Sequence, residues 1–295
     1  MIIGKKRLKQ EHLQELIKQI KQKKELKELS DEYIQDYLYK FFQQEIKLFN
    51  QIVDDFNPKS ANYKRVLKEV RAKLRRVYGL FRVEDQATKR REIIELYFIQ
   101  PENEQLIKDI LATHSSTKER LPFYEQLYKK IFAITKIPKS IIDLGCGINP
   151  FSIQFMQLKE LKYLAYDLSE EEIGFIKRYF SLLHQQDPSF NGEAHILDAL
   201  RWTRLLELPI VDICFLFKMT DVLDQGKGHK KSEEIIKAIP AKYVVVSFPT
   251  LTMSGKKMNH PRKGWIELVC KRLNYKFRLL EFSNELFYVI NKGVK

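Results

Sequence analysis

At 295 residues with 44% apolar side chains, the chain can build two ordinary domains, each with its own core. Its 52 Lys and Arg against 38 Asp and Glu leave a formal charge of +14, which favours a polyanionic partner, nucleic acid before membrane. No apolar run approaches the ~20 residues that span a bilayer, Met1-Ile2-Ile3-Gly4-Lys5-Lys6 holds no signal-peptide core, and Cys146, Cys214 and Cys270 are too scattered for a disulfide framework or a zinc site. A cytoplasmic, metal-free protein with reduced cysteines is expected.

From Lys9 to Ile110 apolar residues recur at helical intervals: Leu13, Leu16, Ile17 and Ile20, then Tyr33, Ile34, Tyr37, Leu38 and Phe41. Residues 1–110 are therefore expected to form a helical domain. Phe56-Asn57-Pro58-Lys59-Ser60 reads as a turn, and the helix after it carries Lys64, Arg65, Lys68, Arg71, Lys73, Arg75 and Arg76, with Glu69 the one acid between Ala61 and Val83. A basic face is often merely solvated, but here the scarcity of acids favours phosphate binding. Tyr78, Phe81 and Tyr97 suit a core or a base stack, with the core favoured.

Pro101-Glu102-Asn103-Glu104 breaks the pattern, and a second domain is expected over 111–295. Ser116-Thr117-Lys118-Glu119 reads as a capping box opening a helix to about Ile134, and Ser169-Glu170-Glu171-Glu172 as another. Between them lies a strand from Ser140, then Asp143-Leu144-Gly145-Cys146-Gly147, then a second strand, Tyr163-Leu164-Ala165-Tyr166-Asp167. Strand, glycine turn, helix, strand and acid make a βαβ nucleotide-binding unit in which Asp167 suits a ribose diol. Pro150 stands where a dinucleotide fingerprint has its third glycine, and Asp143 would repel a phosphate but attract a sulfonium, so S-adenosylmethionine is favoured over another nucleotide or a merely structural turn. Further strands are expected at 194–197, 210–217 and 243–248, with helices at 232–239 and 265–273 and a closing hairpin of 276–282 and 286–290. The fold class is α/β: a doubly wound, mostly parallel sheet with an antiparallel C-terminal strand, preceded by an all-α domain.

His114-Ser115-Ser116-Thr117-Lys118-Glu119-Arg120-Leu121, the glycine turn through Pro150, Leu216-Phe217-Lys218-Met219 with Asp224-Gln225, Val246-Ser247-Phe248-Pro249-Thr250 and Glu285-Leu286-Phe287-Tyr288-Val289-Ile290 together resemble the aminoglycoside-resistance 16S ribosomal RNA methyltransferases that modify guanine N7 in the decoding site. The resemblance spans roughly 114 to 290 and implies a class I methyltransferase. It also implies that Arg120 pairs with the donor's methionine carboxylate beside His114, Ser115 and Ser116. Gly145, Cys146 and Gly147 would form the turn, Asp167 with Leu168 would hold the ribose, and Asp198, Ala199, Leu216, Phe217 and Gln225 would surround adenine. The family's glycine-rich stretch after Ser-Phe-Pro-Thr has one glycine here, Gly255.

Guanine N7 has an in-plane lone pair and needs no deprotonation, so no catalytic acid or base is expected. Positioning would dominate, with Lys218 a possible phosphate or base contact and Phe248 a possible stacking surface. Lys64, Arg65, Lys68, Arg71 and Arg75, and the second basic run with Lys256, Lys257, Arg262 and Lys263, are expected to meet ribosomal RNA, in the small subunit, with the protein a monomer. Competing readings are a methyltransferase acting on transfer RNA, a noncatalytic RNA-binding factor that keeps the fold, and a small-molecule methyltransferase.

Overall fold

The computed structural model describes residues 1–78, 86–224, 228–252, 255–259, 261 and 263–293, the side chains of 76–78 excepted. The chain divides into two compact units, Met1–Glu84 with Leu168–Glu170, and Asp85–Asp167 with Glu171–Lys295.

The first unit begins with a two-stranded antiparallel ribbon, β1 (Ile2–Ile3) and β2 (Lys6–Arg7). Four helices follow: α1 (Gln10–Lys21), α2 (Asp31–Gln44), α3 (Ile46–Asp54) and α4 (Ala61–Tyr78). The predicted spacing is the buried face: Leu13, Leu16, Ile17 and Ile20 of α1 meet Tyr33, Ile34, Leu38 and Phe41 of α2 in one apolar cluster. Ser30 caps α2 by accepting from the Tyr33 amide at 3.2 Å, and Ser60, ending the predicted turn, caps α4 through the Tyr63 amide at 3.2 Å.

The second unit opens with α5 (Gln86–Ile99), α6 (Glu104–Ala112), α7 (Ser115–Arg120) and α8 (Tyr124–Thr135). The division expected after residue 110 thus falls earlier. Ile94, Tyr97, Leu106, Ile107, Ile110 and Leu111 are buried in the same cluster as the sheet residues below, so α5 and α6 belong to this core. The single helix expected from Ser116 to Ile134 is two, parted by a 3-10 turn at Leu121–Phe123. Pro122 lacks an amide hydrogen to continue the ladder of α7, and Phe123, at φ −138° and ψ 13°, leaves helical backbone before α8 begins. His114, rather than Ser116, occupies the N-cap of α7.

The strands β3 (Ser140–Leu144) and β4 (Lys162–Asp167) are joined by a 3-10 helix, Asn149–Met156, in place of the expected α-helix. Then come α9 (Glu170–Gln186), β5 (Asn191–Ile196), α10 (Trp202–Leu205), β6 (Val211–Phe217), α11 (Thr220–Asp224), α12 (Lys230–Ala238), β7 (Ala241–Pro249), α13 (Gly264–Arg272), β8 (Lys276–Glu281) and β9 (Glu285–Asn291). Among the described residues these strands form a seven-stranded sheet of order β5-β4-β3-β6-β7-β9-β8, parallel except where β9 inserts antiparallel between β7 and β8. Strand alternation splits the core: Ile141, Tyr163, Ile213 and Phe215 face one apolar layer, Ile142, Leu164, Cys214 and Leu216 the other. Chain order reverses between β3 and β6, which opens a crevice beyond their carboxyl ends.

Gly192 of β5 shows how tight this packing is. A Cβ there would lie 2.5 Å from the Phe180 ring and 2.7 Å from that of Phe190. Gly192→Ala is expected to cost about 1–3 kcal/mol through overpacking, read as a lower thermal midpoint with unchanged secondary structure. Among the described residues no helix is long and apolar enough to cross a membrane.

Candidate functional site

The crevice at the β3/β6 reversal is lined by the turn after β3. Gly145 and Gly147 both have left-handed backbone, with φ of 65° and 49°. Their amides point at β4: Gly145 N and Cys146 N donate to the Tyr166 carbonyl at 2.8 and 3.0 Å, and Gly147 N donates to Asp167 Oδ2 at 2.8 Å. The two glycines serve different ends. A Cβ on Gly145 would fall 2.2 Å from Met219 Sδ, so its missing side chain admits the loop after β6 rather than a ligand. A Cβ on Gly147 would instead meet His114 Nε2 at 3.8 Å, an ordinary contact, so it is the left-handed backbone rather than crowding that calls for glycine there. Cys146 is buried, and burial holds its thiol well above the usual range, so it contributes backbone alone.

Asp143 does not face a ligand. Its side chain is 1% exposed, and Oδ2 accepts from Asn149 Nδ2 at 2.9 Å and from the Tyr163 hydroxyl at 2.7 Å. The attraction to a sulfonium expected from sequence is replaced by a structural role, tying the 3-10 helix to the sheet. Burial pushes the Asp143 carboxyl up from 3.8 to about 6 despite those two bonds. Between these values the folded chain keeps a proton that the unfolded chain has lost, so unfolding releases it and rising pH favours unfolding. The group's contribution is whole below about pH 4 and gone above about pH 6, a span of about 3 kcal/mol. In Asp143→Asn, whose amide oxygen can accept both bonds, that part of the stability slope is expected to vanish in denaturant titrations at pH 4, 5 and 6.

Beside the turn, α7 brings up His114, with Ser116 Oγ 3.0 Å from its Nδ1. Behind it, Arg90 of α5 donates to Thr113 Oγ1 at 3.0 Å and to Glu172 Oε1 of α9 at 2.6 Å, all three buried. Arg90 thereby braces the approach to His114 against the helix that follows β4. Its place in a region assigned by sequence to the other domain hid this role.

Arg120 departs most from expectation. It is 1% exposed, and its Nε and Nη2 grip the fully buried Glu285 carboxylate at 2.9 to 3.2 Å, the guanidinium lying 4.6 Å from the Phe217 ring centroid. Burial opposes its charge, but Glu285 and Tyr124 outweigh it and keep the guanidinium protonated. Nε and Nη2 of Arg120 are thus held by a carboxylate from β9. Lys218 is no surface residue either: at φ 54° it is 8% exposed, its amide donates to Ser247 Oγ at 3.0 Å, and its ammonium is bonded to Glu119 and 3.6 Å from Glu285. Glu285 and Glu119 were missed as site residues. The available signal was an acid opening the otherwise apolar β9.

Asp167 ends β4 partly exposed, beside Gly147. Asp198 Oδ1 accepts from the Leu200 amide at 2.9 Å and so caps the turn after β5, and Ala199 is buried beside it. Leu216 and Phe217 are core residues of β6, and Leu168 packs on the first unit's cluster. Phe248 is 1% exposed, edge-on to Trp265 and Tyr288, which leaves it no face for a base. Gln225, Arg262 and Phe81 lie outside the described residues, as do the side chains of Arg76 and Tyr78. Tyr97 is a core residue.

The basic residues of α4 divide. Lys64 and Lys68 are exposed, whereas Arg65 bonds Glu69 at 2.7 Å and Glu45 at 3.2 Å, Arg75 pairs with Glu25, and Arg71 is partly buried and donates to the Gln19 carbonyl. In the second unit, Lys256 and Lys257 are exposed on a β-bridged turn, Leu251 against Lys257, that follows β7, and Lys263 is partly exposed. No group among the described residues is arranged to hold a metal ion.

The family model described as ribosomal RNA methyltransferase (FmrO) matches residues 53–289. The chain belongs to that family. A relative from Proteus mirabilis, 16S rRNA (guanine(1405)-N(7))-methyltransferase, is 29% identical to this family member over 248 residues, 78% of this chain and 85% of its own. The fold is that of the 16S rRNA methyltransferase RmtF solved with S-adenosyl-L-homocysteine, at a TM-score of 0.72 and 21% identity over 96% of this chain and 99% of that one. The 16S rRNA methylase ArmA is similar at a TM-score of 0.53 and 26% identity, covering 68% and 97% of the two chains. In this rRNA methyltransferase Gly147 stands between the strand-end carboxylate of Asp167, which its amide meets at 2.8 Å, and His114, whose Nε2 would lie 3.8 Å from a Cβ at that position.

Proposed function

We propose that this protein methylates N7 of a guanine in the decoding site of small-subunit ribosomal RNA, with S-adenosylmethionine as donor. The observation that carries the reading is the family match over residues 53–289, which begins within the first unit and runs through the sheet from β3 to Val289 of β9. The Proteus mirabilis relative's guanine-N7 name supports the target atom. When bound, the donor supplies an electrophilic methyl group. Asp167 holds the ribose hydroxyls while its Oδ2 keeps the Gly147 amide in place. Asp198, Ala199 and Leu168 border the adenosine, and His114, Ser115 and Ser116 border the methionine end. Arg120, with its Nε and Nη2 held by Glu285, is the residue of this reading that meets the methionine carboxylate.

Nothing in this chemistry requires a proton to be removed, because the N7 lone pair is free at neutral pH. The protein's contribution is orientation. Lys218 sits in the loop that packs on Gly145 through Met219, and acts as a positioning residue there. Exposed Lys64 and Lys68 of the first unit and Lys256, Lys257 and Lys263 of the second are the phosphate contacts. Action on assembled subunits, a monomeric cytoplasmic enzyme and a role in aminoglycoside resistance belong to this reading. The test is to incubate purified protein with methyl-labelled donor and small subunits, naked ribosomal RNA or transfer RNA, then map the label by mass spectrometry. Label on a decoding-site guanine N7 is expected; label confined to transfer RNA, or carried on an adenine, overturns it.

A further inference from the structure

His229 immediately precedes α12, half exposed, yet its ring is fixed in place. One face lies flat on Trp265, with centroids 4.1 Å apart and planes 10° from parallel. Its Nδ1 is 3.1 Å from Asp224 Oδ2. That carboxylate cannot swing away, because Asp224 is buried and also accepts from Ser232 N at 3.0 Å and Ser232 Oγ at 2.8 Å. Trp265 in turn meets Phe248 edge-on at 5.8 Å, and Phe248 meets Tyr288 likewise. The imidazole is thus the outermost ring of a pile rooted in the core. With Trp265 as floor and a side chain still 47% exposed, its other face is open.

Helix capping does not account for this arrangement. His229 makes no side-chain cap bond to α12, and Asp224 already satisfies the Ser232 amide. Position adds a reason. Strand β6 leads through α11 to α12 and β7 leads to α13, so His229 and Trp265, at the N-terminal ends of α12 and α13, lie at the carboxyl edge of those parallel strands, the edge that also carries the glycine turn. Two lysines adjoin this pile: Lys263 has its ammonium 5.9 Å from the Phe248 ring centroid, and Lys230, the next residue after His229, is exposed. A pre-set flat ring among lysines matches an unpaired base on a phosphate chain.

We propose that the outer face of His229 is a stacking surface for an unpaired base of the RNA substrate. The inference rests on the RNA methyltransferase reading above and adds a recognition residue to it. The test compares full-length wild type, His229→Ala and His229→Phe for methyl transfer to small ribosomal subunits, with donor affinity measured by calorimetry. Alanine is expected to raise KM for the subunits about tenfold, and phenylalanine, which restores a flat ring, to stay within about twofold of wild type. Donor affinity should be the same in all three. An alanine variant with wild-type KM overturns the proposal, and so does an equal loss in both variants, which would assign the effect to the Asp224 bond. A wild-type protein that methylates no RNA would overturn the functional reading itself and this inference with it, so the two failures are told apart.

Discussion

Glu285→Ala is expected to lower the unfolding free energy by about 3–5 kcal/mol, because it leaves the Arg120 guanidinium in the core without its counter-charge. Both partners are essentially inaccessible, at 1% and 0% exposure, so water cannot take over the role. Lys218 loses a neighbour at 3.6 Å at the same time. Replacing the pair together, as Arg120→Met with Glu285→Leu, should recover much of the loss, since two apolar side chains avoid burying any charge. Urea unfolding of the three proteins, wild type, the alanine variant and the double variant, measures both effects. A loss under about 1 kcal/mol in the alanine variant would mean that the pair is screened in solution like a surface ion pair. Glu285 of β9 reaches both Arg120 of α7 and Lys218 in the loop after β6, so the pair ties that helix and that loop to the sheet.

Asp167→Asn is the second large effect, this time on binding. The amide keeps an oxygen for the Gly147 amide at the place of Oδ2, so the turn stays formed, but the negative charge toward a ribose diol is gone. Hydrogen bonds to a charged group are worth about 1.5–3 kcal/mol, so affinity for S-adenosylmethionine should fall about tenfold to a hundredfold. Calorimetric titration reads this directly, and thermal unfolding without donor should change little. Unchanged affinity would remove Asp167 from the site and leave it as a turn-forming residue only.

Much of the architecture was legible locally. Three- and four-residue apolar spacing marked the helices of the first unit, and every strand from Ser140 onward stood at its expected place within a few residues. Even the antiparallel finish could be read, from two apolar runs around Ser283-Asn284-Glu285. The errors have physical causes. Pro122 divided a helix that the apolar period carried straight through, and α5 and α6 were assigned by their helical pattern to a neighbour whose core they do not share. Period reports which face of an element is apolar; it carries no information on which core that face enters.

Charge was the least legible property. On α4, acids are scarce along the chain but not in space, since Glu45 and Glu25 come from other helices to take Arg65 and Arg75. Arg120 reads from its motif as a partner for the donor's carboxylate, and the carboxylate it meets in the fold lies 165 positions away on a strand inserted against the chain order. Asp143 reads as a ligand's counter-charge and turns out to be enclosed by Asn149 and Tyr163. Hydrophobic period, turn chemistry and the order of motifs are short-range properties that each segment carries within itself, so amino-acid order alone sufficed for the fold class and the family. Which charges meet depends on strands and helices brought together from distant positions, because burial makes an unpaired ion too costly to leave. That pairing, and with it the division between residues that face a ligand and residues that hold the site in shape, was decided only by the assembled fold.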